Sequence, residues 1–190
     1  AMRDRLPRDP RLWQHLVVIA ALMNSAPFLL FAYAETEVSS LLAGIINALT
    51  PLMTLLFAIG LLPDEPPTAE KVAGLVVGFF GVVVVLAPWH GLGGGSLLGA
   101  LACIGAASCY GLGFPYLRRH VSGRPETGVA ISAAQISLGA LLMLPFVPFG
   151  ELPDEVPGVE VWLSILALGA LGTGVAYIFN FNVVREAGAQ

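Results

Sequence analysis

Charge is scarce in this chain: only 12% of its 190 residues are Asp, Glu, Lys or Arg, about half the share of a soluble domain. That shortage excludes a disordered segment, a coiled coil and a nucleic-acid binder. A soluble enzyme this poor in charge would have nowhere to place its apolar surface. The net charge of −4 and a pI near 5.3 also argue against a polyanionic partner. Cysteine is scarcer still, at two residues, too few for a disulfide framework. Cys103 and Cys109 lie six apart in one apolar run, roughly 9 Å along a helix and beyond the reach of a disulfide. They read as small packing residues. Of the three histidines, His15, His90 and His120, no spacing brings two together, so no metal site is expected. Strict alternation of apolar and polar residues is absent as well, which argues against a transmembrane barrel.

What the chain has instead is long apolar runs. Hydrophobic residues make up 56% of it, and the mean hydropathy is +0.81. Six runs stand out, at 13–34, 41–62, 71–87, 97–117, 129–149 and 161–184. Each is near the roughly 20 residues that a helix needs to cross a bilayer; the third is short and borrows a flanking residue or two. Breakers separate them. Pro63, Asp64, Glu65, Pro66 and Pro67 follow the second run, and Pro153, Asp154 and Pro157 precede the sixth. Gly91, Gly93, Gly94 and Gly95 separate runs three and four. Without a preceding strand or a following Lys they read as a linker rather than a phosphate cradle.

All 22 charges sit at or beyond the ends of these runs, as the cost of charge in hydrocarbon requires. Their signs give the orientation. Arg3, Arg5, Arg8, Arg11, Lys71, Arg118, Arg119, Arg124 and Arg185 fall on one side, and no cation falls on the other. The opposite loops carry Glu35, Glu37, Glu151, Asp154, Glu155 and Glu160. The positive-inside rule then places both ends of this chain in the cytoplasm. The N-terminal stretch is too charged, and the run behind it too long, for a signal peptide. Both ends read as interior loops of a longer protein. Trp13, Trp89, Tyr116 and Trp162 fall at span ends and read as interfacial residues.

A weak internal repeat is present. Residues 13–40 lie on 162–189 at an offset of 149, pairing Trp13 with Trp162, Ala21 with Ala170, Leu22 with Leu171 and Glu37 with Glu186. The first copy carries its basic flank at its N-terminal end and the second at its C-terminal end, so the copies cross the membrane in opposite directions. That is the inverted-repeat pattern of many secondary transporters.

Asn47-Ala-Leu-Thr-Pro51-Leu, a short acidic turn, and then the glycine-spaced helix from Ala73 to Leu86 resemble the EamA domain of the drug/metabolite transporter superfamily. Gly99 to Tyr110 with Arg118-Arg119 resembles the helix that opens that family's second repeat. Trp162 to Tyr177 with Arg185-Glu-Ala-Gly188 resembles that repeat's third helix. The resemblance implies an all-α polytopic membrane protein with six transmembrane helices, part of two inverted five-helix repeats. Residues 1–88 would be the end of the first repeat (helices three to five) and 89–190 the start of the second (helices six to eight). Helices one, two, nine and ten would be supplied by the rest of the protein. The loop after the second run opens with Pro63-Asp64-Glu65 rather than the family's Gly-Glu.

With no charge inside the spans, neutral polar side chains are left to meet a substrate. The cavity candidates are Asn24, Asn47, Thr50, Tyr110, Gln135, Tyr177 and Asn180, with interhelical hydrogen bonding as the alternative role. Tyr177 and Asn180 are three apart and share a helix face. Pro27 and Pro51 should kink their helices. Gly74, Gly78 and Gly81 lie on one helix face and suit close packing; Gly99, Cys103, Ala107 and Gly111 form a similar row. No paired carboxylate or His-Glu-x-x-His occurs, so no enzyme chemistry is visible. The expected function is an inner-membrane exporter of a small metabolite or drug-like molecule working by alternating access. It needs no cofactor and no metal, and its partners are lipid, substrate, the remaining helices and a possible second copy. The alternatives are a membrane-embedded enzyme subunit and a non-transporting helical bundle.

Overall fold

A computed structural model describes residues 7, 9–62, 68–86, 96–149 and 156–187. Among the described residues the secondary structure is entirely helical. The α-helices are α1 (Pro10–Ala20), α2 (Ala26–Glu37), α3 (Ser40–Asn47), α4 (Thr50–Leu61), α5 (Ala69–Leu86), α6 (Leu97–His120), α7 (Gly128–Met143), α8 (Val159–Ala167) and α9 (Ala176–Ala187). Two π-helical segments, Ala21–Ser25 and Leu168–Val175, join α1 to α2 and α8 to α9, and a 3₁₀ segment, Leu144–Phe149, extends α7.

These pieces assemble into spans close to the runs read from the sequence. Pro10–Glu37, Ser40–Leu61, Leu97–His120, Gly128–Phe149 and Val159–Val183 are long and apolar enough to cross a membrane. The remaining run forms α5, with 18 residues, about 27 Å at the helical rise and so just under the hydrocarbon thickness. Their starts have a common chemistry. Asp9 accepts the Arg11 N–H, and Ser39, Thr68, Ser96 and Thr127 accept the N–H groups of Leu42, Lys71, Gly99 and Ala130. A short oxygen-bearing side chain thereby satisfies an otherwise orphaned helix-start donor. Span six starts instead at Gly158, with no side-chain cap. The glycine linker, the turn at 63–67, Trp89, His90 and the loop at 150–155 lie outside the described residues.

Packing divides the chain into two compact units, one of residues up to Ala20 and from His120 on, the other of Ala21–Arg119. In the first, α7 packs against α1 and α9. Leu12, Leu16 and Ile19 recur at helical spacing on α1, and they and Ile131 are fully buried. In the second, Ala34, Val38, Ala43, Ile46 and Leu49 pack against Ala100, Cys103 and Ala107. The small-residue row of α6 is what permits this. A Cβ added at Gly99 would lie 2.7 Å from Glu37 Cβ, and one at Gly111 would lie 2.7 Å from the Met53 carbonyl carbon. Both cysteines are free thiols, Cys103 buried and Cys109 half-buried.

Candidate functional site

The seven polar candidates fall into two sets. Asn24, Asn47, Thr50 and Tyr110 belong to the unit of Ala21–Arg119, and Gln135, Tyr177 and Asn180 to the other.

In the Ala21–Arg119 unit, Asn24 and its neighbour Ser25 are buried in the π segment at mid-span. Pro27 follows as the second residue of α2 and is buried too. Pro51 repeats that placement as the second residue of α4, but is exposed. Pro51 therefore sits in the first turn of a new helical segment, where an N–H has no helical acceptor to lose, whereas Pro27 directly follows the π segment inside the continuous span Pro10–Glu37. Between α3 and α4 the helix breaks at Ala48 and Leu49. The Leu49 N–H turns three residues back, to Ile46 O, at 2.9 Å. Across that break the Thr50 hydroxyl donates to Asn47 Oδ1 at 3.1 Å, so these two candidates are direct partners on an exposed surface. Thr54 Oγ1 donates to Thr50 O. Tyr110 is half-buried on α6, one residue from Gly111 at the Met53 contact. Gly113 passes close to Met23, in the π segment beside Asn24; an added Cβ would meet Met23 Sδ at 3.1 Å.

In the other unit Gln135 is 3% exposed. Ser132, one turn before it on α7, is equally buried and is a polar residue that the sequence reading passed over. Tyr177 and Asn180 are half-buried on α9. Asn182, two residues on, is exposed, yet its Oδ1 would lie 2.6 Å from a Cβ on Gly128, so α9 crosses the start of α7 closely there. Beside them an open groove of about 280 Å³ runs between α7 and the last span, where Ser132 and Ile136 face Ala170 and Gly174. A second open groove of about 320 Å³, in the Ala21–Arg119 unit, runs between Pro51, Leu52 and Leu55 on one side and Lys71, Gly74 and Gly78 on the other. Of the glycine row, Gly78 faces Leu52 at ordinary contact distance, whereas Gly74 and Gly81 face open space.

The charged groups stay at the span ends. Arg124 and Asp9 form an ion pair at 2.9 Å, tying the start of span one to the loop after span four. The Arg11 backbone N–H lowers the Asp9 pKa most. Burial opposes that effect, and the Arg124 and Arg11 charges reinforce it, so the carboxyl lies below its ordinary range. Arg119 donates to Leu61 O at 2.7 Å, a cation on the negative end of α4. Glu126, in the loop before α7, holds one buried carboxylate oxygen without a hydrogen-bond partner.

One expectation needs correcting. His15 and His120 do come together, with ring centroids 4.6 Å apart and planes inclined at 29°. They are 105 residues apart in the chain, so tertiary packing, not spacing, makes the pair. Among the described residues no three His, Cys, Asp or Glu side chains are grouped to hold a metal ion.

Each unit buries uncharged polar groups within apolar spans, and comparisons with known proteins give the family. The profile of the EamA-like transporter family matches residues 1–87 and 97–190. An uncharacterized transporter of Bacillus subtilis (strain 168), YvbV, is 28% identical over 131 residues, which is 68% of this chain and 41% of that protein. The matched stretch thus spans under half the length of that relative. No solved structure matches the chain.

Proposed function

The chain belongs to the EamA-like transporter family, and from that premise we propose that it is part of a carrier exporting a small metabolite or drug-like molecule across the inner (plasma) membrane. The protein is a multi-pass membrane protein, with spans long and apolar enough to cross. In the proposed carrier both ends of this chain face the cytoplasm. Residues 1–88 close one inverted repeat and 89–190 open the next, and helices outside these 190 residues complete both. Transport proceeds by alternating access.

The observation that carries this reading is the character of the buried polar groups. Asn24, Ser25, Ser132 and Gln135 are each at most 6% exposed, and none bears a charge. Neutral amides and hydroxyls buried within the spans can exchange hydrogen bonds with a polar substrate, without the full cost of a buried charge. A role in coupling would fall to groups at the span ends, such as Glu35 and Glu37, or to helices beyond this chain.

The test is flux through proteoliposomes containing the full-length protein, with a panel of amino acids, nucleosides, sugars and amphipathic drugs. The reading expects saturable uptake of at least one class, lowered at least about tenfold by Gln135→Ala or Asn24→Ala, equivalent to 1.4 kcal/mol. Absence of flux for every class sinks it.

A further inference from the structure

Two segments of this chain share an uncommon backbone. Ala21–Ser25 and Leu168–Val175 are π-helical, a geometry found in well under 1% of residues and often at functional sites. Each lies at the middle of its span. The first has 11 α-helical residues before it and 12 after. The second is flanked by α8, with 9 residues, and α9, with 12. The offset of 149, set by Trp13, Ala21, Leu22 and Glu37 with their partners, carries 21–25 onto 170–174. That range falls wholly inside the second π segment. An alignment made from side chains thus superimposes two backbone features that it did not use.

Proline does not generate the feature. Pro27 follows the first segment, but its counterpart in the second copy is Ala176. The second segment has small residues instead: Gly169, Ala170, Gly172 and Gly174. There the Thr173 hydroxyl donates to Leu168 O, five residues back, at 3.4 Å. A Cβ on Gly174 would lie 3.5 Å from Gly169 O, also five back. Absent side chains leave room for the wider turn, and the Thr173 hydroxyl reaches the Leu168 carbonyl across it. In the first segment Asn24 occupies the position equivalent to Thr173.

We propose that Ala21–Ser25 and Leu168–Val175 are one hinge repeated in two oppositely directed spans. Each exchanges between π and α register, and so changes the bend of its own span. A π turn holds one residue more than an α turn, so passing that residue along the helix rotates everything beyond it and re-aims Asn24 or Thr173. That is a discrete two-state element of the kind conformational switching needs. The inference rests on the inverted-repeat transporter reading for its purpose, but not for its test.

The test is pulsed electron–electron distance measurement on the full-length protein in lipid nanodiscs, with Cys103 and Cys109 replaced by alanine. Spin labels go at Val17 and Tyr33 in span one, Leu163 and Phe179 in span six, and Leu98 and Leu112 in α6 as an uninterrupted control. Both π-containing spans should give two distance populations separated by at least about 1.5 Å, one helical rise, while α6 gives one. The double variant Gly172→Ala, Gly174→Ala should collapse the span-six pair to one population and leave span one unchanged. A single narrow population in either π-containing span overturns the proposal. Paired populations in a protein that moves no substrate would defeat the transport reading and leave the hinge standing. Single populations in a protein that does transport would do the reverse.

Discussion

Individual residues carry very different burdens here, and the glycines show it best. An alanine methyl at Gly111 would press on backbone atoms of Met53, with the carbonyl carbon at 2.7 Å and Thr54 N at 2.9 Å, so α6 must move. At Gly81 it would meet nothing within 4 Å. Gly111→Ala should therefore destabilise the chain by about 1–3 kcal/mol, as overpacking does. Gly81→Ala should be neutral or stabilising by up to about 1 kcal/mol, because alanine is the better helix former. Denaturation in mild detergent, followed by tryptophan fluorescence, checks both. Sequence alone put these glycines in one class, since each lies in a small-residue row; only the neighbour's position separates them.

Asp9 gives a prediction at the same scale. Its carboxyl pKa is held below the ordinary value by the Arg11 N–H first and by Arg124 as well. A depressed folded-state pKa means stability that is present above the unfolded-state value. That stability is lost as pH falls through the ordinary carboxylate range, near 4, to the lower folded value. Wild type should therefore lose more stability than Asp9→Asn between pH 6 and pH 3, measured by the same unfolding assay; an equal loss would refute the link.

Among the elements, span two is the most informative. Pro51 is the second residue of α4 and gives up no α-helical bond there. Replacing it with alanine should change stability by less than about 1 kcal/mol, whereas Leu56→Pro, in the middle of α4, should cost about 3 kcal/mol or more. The comparison is again one of denaturation midpoints. From sequence the spans were legible to within about three residues at most ends, because hydrocarbon length and apolar composition constrain them directly. The breaks inside them were less so. The two prolines pointed to kinks. The π segment at Leu168–Val175 has no proline, and nothing but a cluster of glycines could have suggested it.

For the whole molecule the charge asymmetry makes a sharp prediction. Gly123 and Val156 are both exposed, at opposite ends of span five. If the nine cations mark the cytoplasm, a membrane-impermeant maleimide on intact cells should label Val156→Cys and spare Gly123→Cys until the cells are opened. The opposite pattern would invert the proposed topology. The expected direction comes from the charges alone, since the inside-positive bias acts on loops during insertion.

Composition and the placement of charge were enough to establish a helical membrane protein, its spans and the neutral chemistry of its interior. Each follows from the local cost of moving one residue type from water to hydrocarbon, a property of the chain and not of its folding. Which polar groups meet was settled by tertiary packing. Asn47 and Thr50 bond each other across a helix break, Gln135 is buried where Asn182 is not, and His15 reaches His120 from across the chain. Those outcomes depend on how helix faces turn toward one another. Several apolar faces of similar width can satisfy the same hydropathy, and only close approach at positions such as Gly99, Gly111 and Gly128 selects among them.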